Sequence, residues 1–432
     1  MVKNIFVAGL DEFHFSQLLS LRDAADYRFY PLMSYRDIKC RKVFPVRDFL
    51  HLGTHTLRHF AGTVDGVIGY LDFPISTMLP IIQKELGFTG PTLEAILKCE
   101  HKYWSRCIQA EAVADYIPPF QALNPFSATV VNDCHLTFPF WLKPVKSVLS
   151  HLGFIIHNET EFEASLQIIR EQIWRYADPF NFILGHAELP DSIAQIDGSH
   201  CIAEGLISSG RQCTLEGYVH QGHIVFYGCI DSIRGGHIHS SFSRYQYPST
   251  LSSTVQQRMQ AASTAVLEKT GLDNTPFNIE FYWDEETDTI SLLEINPRIS
   301  KSHCPLFKMV DGEYHLEVVL DIALGRKPRL PHRQGRHNIA AKFMLRSYRD
   351  GTVTRIPSRA AIERLKQQFP GFEACIKVQP GTRLSHLLDQ DSYSYEIAEI
   401  FMGAANRTEL EQNYQIALAN LPFSIEDSKE LA

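Results

Sequence analysis

In the segment FNIEFYWDEETDTISLLEINPRIS, Phe277 to Ser300, acidic and amide side chains fall on alternate positions of two apolar runs. The central DEETDT is polar and turn-prone, so FNIEFYW and SLLEINP are expected to pair as a hairpin. With Thr287 at the centre, Tyr282 faces Leu292, Glu280 faces Glu294, and Asn278 faces Asn296. One face then offers Phe277, Ile279, Phe281, Leu293 and Ile295 to a core, and the other carries the glutamates and asparagines. Opposed carboxylates destabilise a sheet unless a cation lies between them. Mg²⁺ suits the set, because it takes one or two carboxylates, an amide oxygen, waters and substrate phosphates. Pro297 cannot donate to a ladder, so the strand should end there with Arg298 at the rim, placed to neutralise developing negative charge. A solvated hairpin face would show the same alternation, so the rest of the chain has to decide.

The elements that must carry this hairpin are legible in outline. KNIFVAGL near the start reads as a buried strand, and DGVIGYLDFP, residues 65 to 74, as an apolar run ending in a loop. Together they imply a small α/β domain over residues 1–90, closed by the turn-rich GFTGP. TLEAILKCEHKYWSRCIQ has helical spacing throughout. FPFWLKP reads as a strand ending at proline, and NETEFEASLQIIREQIW as an amphipathic helix capped by Asn158. CIAEGLI, CTLEGYV and HIVFYGCID read as antiparallel strands, the last two joined through Gln221 and Gly222. A helix from about Thr250 to Thr270 should stop at Gly271. LGRKPRLPHRQGRH makes a linker, and residues 331–432 a smaller α/β domain.

Composition bounds the partners. The chain has 432 residues, 44% apolar and 21% charged, enough for two or three domains with ordinary cores. A net charge of -8 gives no general case for nucleic acid or anionic membrane. No window reaches the roughly 18 to 20 apolar residues of a spanning helix. The first apolar run meets Asp11 and Glu12 too early for a secretory signal. The nine cysteines never fall as CxxC, which fits reduced thiols and a cytoplasmic protein.

LLEINPRIS preceded by FNIEF resembles the metal-binding hairpin of the ATP-grasp superfamily, and the resemblance covers roughly residues 90–330. It implies an α/β ATP-grasp fold with a Rossmann-like domain over 1–90, an ATP-grasp domain of two subdomains over 91–330, and a ligase-type domain over 331–432. It also implies ATP with two Mg²⁺ ions, Mn²⁺ being a substitute, and a substrate carboxylate activated as an acyl phosphate. Matched by position, Glu280, Glu294 and Asn296 resemble the metal ligands, and Arg298 the residue beside the transferred phosphoryl group. Lys102 and Lys143 occupy the places of the two phosphate-contacting lysines, Lys143 also counting as catalytic. KSVLSHLGF, with Ser150, sits where the family has its phosphate-covering loop, although it is poorer in glycine than that loop usually is. AEGLI resembles the adenine-holding hinge, giving that role to Glu204, Leu206 and Ile207, and Gln212 stands near the ribose-binding position. Arg234 and His237 lie where substrate contacts are often found.

HNIAAKFMLRS and DGTVTRIP resemble the terminal domain of amino-acid and dipeptide ligases in that superfamily, which implies a ligase joining a small carboxylate to an amine. A biotin-carboxylase-like enzyme forming carboxy phosphate, and a non-catalytic ATP-binding module, are the competing readings. A homodimer is compatible with the sequence.

Overall fold

The computed structural model describes residues 2–39, 43–148, 151–207, 210–235, 241–388, 390 and 394–426. The fold is mixed α/β, as expected, and the chain divides into two compact units. The first comprises Met1–Tyr227, Ser252–Lys301 and Leu316–Arg329, and the second Gly228–Leu251, Ser302–His315 and Leu330–Ala432.

The first unit begins with a parallel sheet in which Lys3–Leu10 lies between Tyr27–Ser34 and Gly66–Gly69. Its central strand is nearly continuous in apolar side chains, as a sheet covered on both faces requires. A second, antiparallel sheet runs in the order Phe120–Leu123, Cys201–Gly205, Phe140–Pro144 and Phe154–Ile156. The amphipathic Glu159–Gln172 helix packs Phe162, Leu166 and Ile169 against Phe140, Leu142 and Ile156. Asn158 caps it as expected, accepting from the Glu161 backbone N–H. A third group of antiparallel strands places Thr275–Asp284 between Thr289–Asn296 and Arg211–His220. The Ser253–Thr270 helix is capped by Ser252 and ends at Gly271, whose φ of 71° is the left-handed stop that the sequence called for.

Two expectations are corrected here. The helical pattern over residues 92–109 is two helices, Leu93–Glu100 and Lys102–Val113, broken at His101. His101 leaves helical geometry at φ −81°, ψ 98°, and its side chain caps the second helix by accepting from the Trp104 N–H. The other nitrogen lies 2.7 Å from the Ile196 carbonyl, and burial lowers the imidazole to about 4, so it stays neutral and plays both parts. Helical spacing continues in phase across the break, which is why the sequence did not show it.

The second correction concerns the hairpin. Asn278 faces Asn296 and Glu280 faces Glu294 as expected, but a bulge follows, and Phe281 then faces Leu292 and Tyr282 faces Ser291. Leu292, not Leu293, is therefore the fully buried residue. The turn centres one half-step earlier than Thr287, with Asp284 opposite Thr289. There the Asp284 carboxylate accepts from the Glu286 and Thr287 N–H groups, and Asp288 adopts φ 49°.

The second unit is built on antiparallel strands, with Ser241–Tyr247 pairing Ile339–Ser347, which pairs Tyr395–Ala404, which pairs Glu373–Ile376. Ala341, Phe343, Ile400 and Met402 form its core with Leu365 and Leu410 from helices Arg359–Gln368 and Arg407–Ala419. Among the described residues no helix is long and apolar enough to cross a membrane. The eight described cysteines are all free thiols.

Candidate active site

The opposed pair Glu280 and Glu294 projects from the middle of the hairpin, with Asn278 and Asn296 beside it on the same face. Asn296 donates to Asn278 Oδ1 at 3.1 Å and to Glu294 Oε1 at 3.4 Å, and its own Oδ1 accepts from Arg298 at 3.3 Å. Arg298 lies past the strand end, where Pro297 was expected to leave it. Its guanidinium grips Asp72 with two bonds, Nε to Oδ1 at 2.9 Å and an Nη to Oδ2 at 2.7 Å. Burial works against the charge on Arg298, but Asp72, and further off Glu100 and Glu294, hold it firmly cationic.

Gln212, expected near a ribose, donates to Glu280 at 2.8 Å. It lies on Arg211–His220 opposite Tyr282, so the pleat sends its side chain to the face that carries the acids.

The lysines come from other elements of the same unit. Lys143 is the penultimate residue of the strand Phe140–Pro144, opposite Ile202, and its ammonium lies 2.5 Å from Glu204. Arg106 reaches the other oxygen of that carboxylate at 2.7 Å. Burial alone would raise Glu204, yet Arg106 and Lys143 outweigh it and hold the carboxyl at about 2. Lys102 opens its helix and donates to the Ser147 carbonyl at 2.9 Å. Burial lowers its ammonium to about 8, with Glu294 opposing the shift and Lys146 and Lys143 adding to it. These mutual influences place Lys102, Lys143, Lys146, Glu204 and Glu294 in one electrostatic neighbourhood. Leu206 and Ile207 follow the strand Cys201–Gly205, Leu206 exposed and Ile207 half-buried. Ser150 and His237 lie outside the described residues. Arg234, in the second unit, stacks over Phe242 at 4.2 Å.

Five further side chains belong to this neighbourhood and were not singled out from sequence. Asp72 follows the strand Gly66–Gly69 in the LDFP segment, and its place at a strand end was a usable signal. Lys146 is buried, pairs with Glu100, and has its ammonium 5.1 Å from the Phe73 ring centre. Arg106 is buried in the Lys102–Val113 helix and also donates to the Leu292 and Leu293 carbonyls at 2.8 and 3.0 Å, bonding at the bulge. Glu216 is fully buried opposite Asn278, accepts from Ser300 N–H at 3.2 Å, and is pushed well up by burial.

Chemically, the hairpin face supplies two carboxylates and an amide oxygen, which are hard donors matched to Mg²⁺ and not to a thiolate- or imidazole-seeking metal. Among the described residues no group of three or more His, Cys, Asp or Glu could hold a metal unaided. A divalent ion here would draw its remaining ligands from Asn296, water and a bound polyphosphate. Lysines and an arginine around such a site are point and forked cations suited to phosphate oxygens.

Residues 136–305 match the family model described as ATP-grasp domain, and they are an ATP-grasp domain. The fold as a whole is that of solved ATP-grasp enzymes. An L-amino acid ligase from Bacillus licheniformis superposes with a TM-score of 0.73, at 16% identity, over 98% of this chain and 99% of that one. A biotin carboxylase from Campylobacter jejuni, solved as a βγ-ATP complex, gives 0.62 at 14% identity over 99% and 93%. At such identities the likeness is one of fold. In sequence, the chain is 22% identical over 368 residues to the uncharacterized protein y4rH of Sinorhizobium fredii (strain NBRC 101917 / NGR234), matching 81% of this chain and 66% of that protein's length.

Proposed function

We propose that this protein is an ATP-dependent ligase that joins a small carboxylate, an amino acid or similar metabolite, to an amine, releasing ADP and phosphate. The observation that carries the reading is the Glu280–Glu294 pair in register, flanked by Asn296 and Arg298, within electrostatic reach of Lys102. Residues 1–90, 91–330 and 331–432 serve in this reading as the pre-ATP-grasp, ATP-grasp and ligase-type domains.

A carboxylate is a poor partner for an amine because oxide is a poor leaving group. Its oxygen therefore attacks the γ-phosphorus, the bond from that phosphorus to the β,γ-bridging oxygen breaks, and ADP departs. The amine then attacks the acyl carbon, phosphate leaves with the bonding pair, and the amine gives up a proton. Glu280, Glu294 and Asn296 would hold Mg²⁺, which when bound would neutralise charge on the phosphate oxygens. Lys102 and Lys143 contact phosphates, and Arg298 faces the oxygens that gain charge during transfer. The backbone from Glu204 to Ile207 supplies a donor and an acceptor for the adenine edge. Fixing the reactants in line is the main source of rate, with effective molarities of about 10⁵ M or more for well-oriented groups.

Release of ADP and phosphate with Mg²⁺ and a panel of amino acids and small carboxylates, singly and in pairs, tests the reading. Turnover that needs both a carboxylate and an amine is the expected result. Turnover that needs only bicarbonate would point to carboxy-phosphate chemistry, and tight nucleotide binding without any turnover to a regulatory module. Glu294→Gln should abolish turnover while leaving the unfolding curve in place; full activity in that variant removes the metal assignment.

A further inference from the structure

The strand Arg211–His220 turns back into His223–Gly235 through Gln221 and Gly222, both at positive φ, 51° and 75°. This is the two-residue turn that suits a twisted hairpin. Its tip is fastened from outside, as Asp273 Oδ1 accepts from the Gly222 N–H at 3.1 Å. Tyr227 donates to Glu216 at 3.5 Å, which sets Glu216 opposite Tyr227. By the same count Tyr218 faces Val225 and His220 faces His223, all on one face.

That face lines a cavity of about 370 Å³ together with Gly325 and Lys327. The volume is that of a small-molecule site. His220 is only 7% exposed, and its Nδ1 has no hydrogen-bond partner although it is buried. An orphaned buried nitrogen costs stability unless something occupies the space beside it. The lining offers two imidazoles, a phenol, the Gln221 amide and an ammonium, and no carboxylate. Donors converge there around the Lys327 charge with no carboxylate in the lining to oppose it, so the complementary ligand is an oxyanion. Lys327 weighs against a metal ion, which the His220–His223 pair alone would otherwise suit.

We propose that this cavity is a second ligand site of the protein, taking the phosphoryl group of a small phosphorylated molecule. It is separate from the acid pair: His220 lies six residues beyond Thr214, the cross-strand neighbour of Glu280, or about 20 Å along the strand. Two imidazoles and an ammonium around one recess can each meet a different one of the three terminal oxygens of a phosphoryl group. The site stands whether or not the ligase reading does.

The test is thermal unfolding of the full chain titrated with inorganic phosphate at constant ionic strength, in the wild type and in a Lys102→Gln background that weakens phosphate binding at the proposed active site. A saturable rise in Tm is expected in both, with acetate giving none. His223→Gln and Lys327→Gln change exposed residues that pack no core, and each should weaken the apparent phosphate affinity at least fivefold. His220→Gln should do the same if it folds. The proposal is overturned if phosphate gives no saturable rise, if the rise vanishes with Lys102→Gln alone, or if it survives both surface variants. A saturable rise with Zn²⁺ in place of phosphate, lost in His223→Gln, would make the cavity a metal site and also overturn it.

Discussion

Arg106 shows how much one side chain can hold. It is fully buried, with Glu204, Gln109 and the Leu292 and Leu293 carbonyls as acceptors, so it ties the Lys102–Val113 helix to the acid hairpin and to the strand carrying Glu204. Removing one partner of a buried pair leaves an uncompensated charge, and Arg106→Met should cost about 3 to 5 kcal/mol in denaturant unfolding. Glu204 gives a pH signature with a definite sign. Its carboxyl is depressed from 4.5 to about 2, so its contribution to stability is complete above the unfolded value and is lost as pH falls from about 4.5 through 2. Acid unfolding followed by circular dichroism should lose that component in Glu204→Gln. Asp72 is a positioning residue in this picture. Asp72→Asn keeps the shape but weakens the grip on Arg298, and turnover should fall about tenfold or more while nucleotide affinity, read by calorimetry, changes far less. Apart from the strand-end position of Asp72, these roles left no mark in the sequence, because an arginine or a carboxylate in a polar context looks the same whether it meets water or a buried partner.

At the level of elements, the sequence showed the hairpin strands, the Asn158 cap, the Gly271 stop and the acid register, left strands such as Tyr27–Ser34 and Ser241–Tyr247 unassigned, and failed at two irregularities. Period-two alternation placed Glu280 opposite Glu294 because both runs keep their phase from Asn278 to Glu280 and from Glu294 to Asn296. The bulge at Leu293 shifts the phase of the outer half, and alternation carries no mark for an extra residue. Alanine substitution reads the difference: Leu292→Ala should cost about 2 to 5 kcal/mol, and Leu293→Ala clearly less. The break at His101 escaped for a related reason, since a histidine that caps the next helix leaves the 3.6-residue spacing intact. That break matters to the site. It separates Glu100, paired with Lys146, from Lys102, which opens the next helix beside Ser147.

Across the whole molecule, composition and element order sufficed for the fold class, and the ATP-grasp resemblance agrees with the family match over residues 136–305. Contacts between segments distant in sequence were beyond reach, as with Arg298 and Asp72, 226 residues apart. The second unit has its own pH response. Glu373, on the strand Glu373–Ile376, is raised by burial to about 7, so its contribution is fully present below the ordinary carboxylate value and lost as pH rises through about 7. Unfolding midpoints measured from pH 5 to 8 should fall less steeply in Glu373→Gln than in the wild type.

The double clamp on Glu204 has a consequence for selectivity. With one oxygen held by Arg106 and the other by Lys143, that side chain is already committed before any purine arrives. Discrimination between adenine and guanine would then be written in peptide groups, so exchanging Leu206 or Ile207 for alanine should leave the preferred base unchanged. A proline there, which deletes an N–H, should erode the preference.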